Sequence, residues 1–325
     1  MHLTHRLIVL LAILVVEHAP AMAVEPRKET LVYKHVGTLK IKADVHSLPS
    51  DKPRPVVVWI HGGALINGHR DSVPGWVKEA FLPRGYAIVS LDYRLAPETK
   101  LPEIIADVED AFRWIREQGP KLFAADDQRV AVIGGSAGGY LTLISGYRVK
   151  PRPTVLVSLW GYGDLVGDWY NTPSPHARHN QSKMTRDEAF RQVSGSPVSD
   201  SRDRQGDGGA FYQFCRREGI WPREVTGWDP RADRAKFAPY MPEHHVNEEF
   251  PPTHLIHGDA DTDVPFQLSV NMAELFKQAG VEHRMIRFPG AEHGLPGVAK
   301  AEVDAAYQDA ARFVVEHLER VERAK

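Results

Sequence analysis

The stretch that most restricts what this chain can fold into is RVAVIGGSAGGY, residues 129–140. A short apolar run ends in four glycines and an alanine packed around one serine, and a segment with helical character follows at once. Gly134-Gly135-Ser136-Ala137-Gly138 fits G-x-S-x-G, the pattern of a nucleophile elbow. For Ser136 Oγ to stand exposed at the tip of a strand, the backbone must reverse sharply into a helix. That turn strains the serine and leaves no room for side chains beside it, so its neighbours must be small. Two other glycine-rich readings fail on residue type. A phosphate loop needs Lys-Ser/Thr after its last glycine, where this chain has Tyr140-Leu141, and a dinucleotide fingerprint needs Gly-x-Gly where Gly134 is followed two residues later by Ser136.

The rest of the chain reads as strands alternating with helices. Leu31–Val36 and Thr38–His46 form an opening pair around Gly37. Val56–Ile60 and Tyr86–Leu91 are continuous apolar runs of the kind buried on both faces of a sheet, Val130–Ile133 and Thr154–Leu159 read as further strands of that core, and Thr253–Ile256 and Arg284–Phe288 read as two more strands. Ile104–Gln118, Tyr140–Tyr147, Gln267–Gln278 and Ala299–Glu319 have helical spacing. This alternation predicts a mostly parallel central sheet flanked by helices, with sites at the carboxyl ends of its strands. Residues 162–250 contain no clear strand and are rich in aromatics. They predict an inserted helical cap whose aromatics mostly pack a small core of its own, with one or two walling a pocket.

A serine hydroxyl becomes a nucleophile when a base takes its proton, and the base needs a carboxylate to orient it. Past the seventh strand stand Asp259, Asp261 and Asp263, and past the eighth stands His293. The aspartate run starts like a calcium loop, but its sixth and twelfth positions are Val264 and Val270 rather than glycine and glutamate. His244-His245 and His176-x-x-His179 lack a ligand set and are read as surface histidines. Negative charge on a carbonyl oxygen needs amide donors, worth about 3 kcal/mol each. His61-Gly62-Gly63-Ala64, past the third strand, is placed to supply them from Gly62 and Gly63, together with the amide of Ala137. His61 is read as a structural support of that glycine loop. Cys215, the only cysteine, is read as structural and excludes an intramolecular disulfide.

His61-Gly62-Gly63, DYRLAPE at 92–98, GGSAGG at 134–139, HGDADTDVP at 257–265 and Glu292-His293-Gly294 together resemble the α/β-hydrolase superfamily. Within it they are closest to the esterase/lipase group that includes hormone-sensitive-lipase-like carboxylesterases. The resemblance implies the α/β-hydrolase fold and the triad Ser136, Asp261, His293, because the pattern HGxxDxxVP carries its triad aspartate at Asp261. Two departures, HGGA without a third glycine and Gly135 in place of an acidic residue, lean toward feruloyl-esterase-like and kynurenine-formamidase-like enzymes. The expected activity is a serine esterase, with no metal or organic cofactor, acting on a small-molecule or polysaccharide-linked ester. A prolyl-oligopeptidase-like peptidase, a sugar-ester deacetylase and a non-catalytic binding fold are the alternatives.

At the amino end, His2, His5 and Arg6 precede the apolar run Leu7–Val16, followed by Ala21-Met22-Ala23. Residues 1–23 therefore read as a signal peptide, with an exported catalytic domain over 24–325. Ten apolar residues are too few to cross ~30 Å of hydrocarbon, so no membrane span is expected in the mature form. A formal net charge of −2 gives no bulk attraction to nucleic acid.

Overall fold

A computed structural model describes residues 25–181 and 183–323. The signal-peptide reading of residues 1–23 lies outside the described residues. Eight strands form one sheet: β1 (Arg27–Val36), β2 (Leu39–Ser47), β3 (Arg54–Ile60), β4 (Ala87–Leu91), β5 (Ala125–Gly135), β6 (Val155–Leu159), β7 (Thr253–Gly258) and β8 (His283–Phe288), in the order β1-β2-β4-β3-β5-β6-β7-β8. β1 and β2 pair antiparallel across the turn at Gly37, and β2 pairs antiparallel with β4. From β4 to β8 every pairing is parallel, so helices must carry the chain back across the sheet.

The apolar runs are continuous because both faces are covered. Alternate residues of β3 feed two cores: Val56, Val58 and Ile60 one, Val57 and Trp59 the other. α1 (Gly75–Phe81) and the carboxyl-terminal helix cover the second face, the latter through Ala310, Phe313, Val314 and Leu318. α2 (Leu101–Glu117), α3 (Gly119–Phe123) and α4 (Ala137–Arg148) contribute to the first. On α2 the buried positions Ile104, Val108, Ala111, Phe112 and Ile115 recur at helical spacing, as the sequence predicts.

Between β6 and β7 the chain leaves the sheet, and among the described residues it makes six short α-helices, α5 (Asp168–Asn171), α6 (Ala177–Asn180), α7 (Arg186–Arg191), α8 (Gly209–Glu218), α9 (Trp221–Thr226) and α10 (Arg234–Phe237), together with three 3-10 turns. α11 (Gln267–Gln278) and α12 (Lys300–Arg323) complete the described chain. One expectation needs correction here. The aromatics of this excursion do not form a core of their own. Tyr170, Phe211, Tyr212, Phe214 and Trp221 are buried in the same cluster as Val58, Ile60 and Leu141 of the sheet and its helices. The reason is the brevity of the helices, which are four to ten residues long and cannot enclose a core without the domain beneath them. Cys215 is buried on α8, where burial pushes its thiol pKa well above the usual value.

α4 lies against β3 at very close range. A Cβ on Gly138 would sit 2.0 Å from the carbonyl oxygen of Ile60 and 2.7 Å from that of His61. Backbone on both sides cannot yield as a side chain would. Gly138→Ala is therefore expected to lower stability by about 3 kcal/mol. Gly195→Ala, where no atom lies within 4 Å of the added carbon, should stay within about 0.5 kcal/mol of wild type. Urea midpoints of the two variants check this, and equal midpoints would contradict the packing described.

Candidate active site

Ser136 lies at the junction of β5 and α4 with φ 57° and ψ −123°, the strained geometry expected of an elbow. Its amide donates to Leu159 O at 2.9 Å, and its carbonyl accepts from Tyr140 N at 3.0 Å, opening the helix. Ala137 is the first residue of α4, so its amide has no partner within the helix. The glycine loop past β3 approaches the serine so closely that a Cβ on Gly62 would be 3.2 Å from Ser136 Cβ and 2.7 Å from Gly135 O. The amides of Gly62 and Gly63 and that of Ala137 thus belong to segments that converge beside Ser136.

That loop is itself strained. Ala64 and Leu65 adopt φ values of 55° and 62°, and Gly63 stands at 99°. Several bonds hold it there. Trp221 Nε1 of α9 donates to Ala64 O at 3.0 Å, Ala96 N donates to Leu65 O at 2.8 Å, and the Arg204 guanidinium donates to Ile66 O. Tyr93 Oη donates to His61 O at 2.9 Å and its ring stacks on the His61 imidazole with centroids 4.2 Å apart. His61 Nδ1 donates to Gly62 O at 2.8 Å. Burial pushes the His61 pKa down to about 4, which keeps its imidazole neutral near pH 7. His61 therefore packs beneath the loop as a support.

Past β7, Asp261 is buried and its carboxylate is fully used. Oδ1 accepts from the amides of Asp263 and Val264, each at 2.8 Å. Oδ2 accepts from His293 Nδ1 at 2.7 Å and from His257 Nε2 at 3.1 Å. Burial alone would raise its pKa, but the hydrogen bonds from His257 and His293 outweigh it and hold the carboxyl down at about 2. Asp261 is thus the carboxylate on the Nδ1 side of His293, fixing the tautomer in which Nε2 is free to take a proton. Asp259 turns outward to Arg287 Nε at 2.7 Å. Ser136 Oγ makes no hydrogen bond among the described residues, so the structure joins Asp261 to His293 and leaves the serine hydroxyl unengaged. Trp160 packs near both Gly135 and His293. A Cβ on Gly135 would lie 3.3 Å from its Nε1, and its ring meets the His293 ring edge-on at 6.1 Å.

His179 and His245, expected at the surface, are not there. His245 is half-buried, stacked on Tyr147 at 4.2 Å, with Nε2 donating to Ala238 O at 2.9 Å. His179 is buried and donates from Nε2 to Asp263 Oδ1 at 2.9 Å, while its Nδ1 accepts from Ser174 Oγ at 2.8 Å. A histidine pair or an i, i+3 spacing carries no sign of the buried partner it meets. The sequence assigns no role at the oxyanion loop to Trp221, Arg204 or Tyr93, although Trp221 is among the aromatics of the excursion and Tyr93 lies in DYRLAPE.

Comparison with known proteins bears on the fold and the family resemblance. The family model BD-FAE matches residues 44–155, and that of the prolyl oligopeptidase family matches residues 183–320. The non-reducing polyketide synthase ascC of Acremonium egyptiacum is 28% identical over 82% of this chain, which spans 14% of that protein. Esterase LipI of Mycobacterium tuberculosis is 36% identical over 34% of this chain and 36% of its own length. Among solved structures, an α/β-hydrolase superfamily protein from Enterococcus faecalis superposes with a TM-score of 0.70 at 22% identity, covering 89% of this chain and 99% of that one. A propionate-bound thermophilic esterase from Thermogutta terrifontis does so with a TM-score of 0.62 at 22% identity, covering 90% and 94%. With its mostly parallel eight-stranded sheet and these structural likenesses, the chain has the α/β-hydrolase fold, and its two halves are similar to the BD-FAE and prolyl oligopeptidase families.

Proposed function

We propose that this chain is an exported serine hydrolase that cleaves carboxylic esters through an acyl-enzyme. The observation that carries the reading is the 2.7 Å bond from His293 Nδ1 to the buried Asp261 carboxylate, at the sheet end that also presents Ser136 on a left-handed backbone. Ser136 Oγ attacks the carbonyl carbon as its proton passes to His293 Nε2, and the C=O electron pair moves onto oxygen. The amides of Gly62, Gly63 and Ala137 stabilise that oxyanion. When the pair returns, the C–O bond to the alcohol breaks and Nε2 gives its proton to the departing oxygen. Water, deprotonated by the same nitrogen, then attacks the acyl carbon, releases the acid and restores Ser136. The name esterase borne by LipI and by the Thermogutta protein supports an ester substrate. Export is supported by the basic, apolar and small-residue pattern of residues 1–23.

The match to the prolyl oligopeptidase family over 183–320 favours a second reading, in which the same groups open a peptide bond. Turnover of p-nitrophenyl acetate against a prolyl p-nitroanilide separates the two. The ester reading expects turnover of the acetate, with Ser136→Ala slower by about 10⁴-fold or more, and no comparable turnover of the anilide. Acetate hydrolysis by Ser136→Ala at the wild-type rate would overturn the mechanism. Anilide turnover exceeding that of the ester would replace the substrate class.

The rate should rise with pH as the histidine base loses the proton that blocks it. Asp261→Asn, which keeps the shape but favours the wrong tautomer, should lower kcat by about 10³- to 10⁴-fold. A flat kcat/KM profile from about pH 5 to 8 would contradict a histidine base.

A further inference from the structure

The residue two positions beyond Asp261 is as buried as the triad carboxylate, yet the mechanism above leaves it without a task. Asp263 Oδ1 accepts from His179 Nε2 at 2.9 Å, from Arg216 Nη1 at 2.9 Å and from the Tyr212 hydroxyl. Arg216 also donates to the Asp263 main-chain oxygen at 2.8 Å and to Tyr212 Oη at 2.8 Å. All three partners come from α6 and α8 of the excursion between β6 and β7. They saturate one carboxylate oxygen and leave the other, Oδ2, turned toward His293 Nε2 at 3.8 Å. His293 therefore has a carboxylate at each nitrogen, Asp261 at Nδ1 and Asp263 near Nε2.

We propose that Asp263 is a positioning residue for His293, clamped by the inserted segment so that its Oδ2 favours the charged imidazole at the nitrogen that carries the transferred proton. This rests on His293 being the base, as proposed above. Asp263 reaches the chemistry through that imidazole and has no contact with Ser136 among the described residues. The distance matters to the design. At 3.8 Å the carboxylate attracts the imidazolium without holding Nε2–H in a short hydrogen bond that would keep it from the leaving oxygen.

The charges around the imidazole set the expected signs. Asp261 and Asp263 face it from the segment after β7, with His257 behind Asp261. On its own loop, Glu292 Oε2 accepts the His293 amide at 2.9 Å. From the excursion, Arg178 lies 3.6 Å from Asp263 Oδ2 and 3.1 Å from Glu292 Oε2. Arg216, His179 and Tyr212 lie behind Asp263. Burial would raise the Asp263 pKa, but His179, His293, Arg216 and Tyr212 reverse this and hold it well below the usual carboxylate range, so it stays anionic while the imidazole titrates. Removing Asp263 removes an anion beside Nε2. Removing Arg178 removes a cation that offsets it.

The test is an NMR titration of the His293 imidazole in the purified chain, with the signal assigned by His293→Gln, in parallel with the acid limb of p-nitrophenyl acetate hydrolysis. Asp263→Asn should lower the His293 midpoint by about one pH unit, and Arg178→Gln should raise it by about half a unit. The acid limb of kcat/KM should move with each. If Asp263 only anchored the excursion, Asp263→Asn would lower the melting temperature and leave the midpoint in place, and that result overturns the proposal. Should Asp263→Asn fail to fold, Arg178→Gln decides, because its side chain is more than one-third exposed. An upward shift then supports the role and an unchanged midpoint overturns it. The NMR readout needs no turnover. A moving midpoint in a protein inactive on the ester would sink the esterase reading and leave Asp263 in place, whereas an active ester hydrolase with an unmoved midpoint would do the reverse.

Discussion

Everything about this molecule follows from holding one serine in a backbone conformation it would not choose. At φ 57° and ψ −123°, Ser136 occupies a region that costs of order 1–3 kcal/mol for a residue with a Cβ. That cost persists only because the surroundings leave no other conformation. β6 accepts the serine amide through Leu159 O. Gly134 is so near the first turn of α4 that a Cβ on it would sit 2.3 Å from Gly138 O, and Gly138 in turn is pressed on the end of β3. The glycines are there for space as much as for flexibility. With helix, strand and loop backbones in contact, the serine and its flanking amides arrive at one point already oriented, which is where preorganised electrostatic stabilisation comes from.

The segment between β6 and β7 completes that arrangement. Its helices are too short to stand alone, and their aromatics share the core beneath them. In return the segment reaches down to the site at three places. Trp221 and Arg204 bind carbonyls of the strained loop after β3. Arg204 also forms a buried ion pair with Glu98, 2.6 Å apart, and so ties that loop to the one after β4. His179, Tyr212 and Arg216 grip Asp263 beside the imidazole. A segment with so many buried polar attachments behaves as a buttress of the site, because pulling it away would leave charges such as Arg216 and Asp263 unpaired in the interior.

How much of this could be read from residues alone follows from the range of each interaction. The inner strands are legible because burial on both faces writes an apolar run, and the antiparallel opening pair because Gly37 sits at its turn. Ser136 was legible because steric crowding acts on its immediate neighbours and leaves a local pattern. Asp261 and His293 stood out only through their place after the last two strands, with the resemblance choosing among three aspartates. What stayed hidden were contacts between residues far apart in the chain, such as Trp221 with Ala64 or His179 with Asp263, which no local spacing encodes. The same cause explains why His179 looked like a surface group and why the aromatics of the excursion looked like a separate core.

The central proposal is that Ser136 is the side chain whose oxygen is activated for acyl transfer. Reaction of the purified protein with a fluorophosphonate, followed by proteolysis and mass spectrometry, tests it most directly. The account predicts a single stoichiometric adduct on the peptide containing Ser136, formed far more slowly in Asp261→Asn. An adduct that maps to another residue, or an unmodified Ser136 in folded protein at saturating reagent, would contradict it.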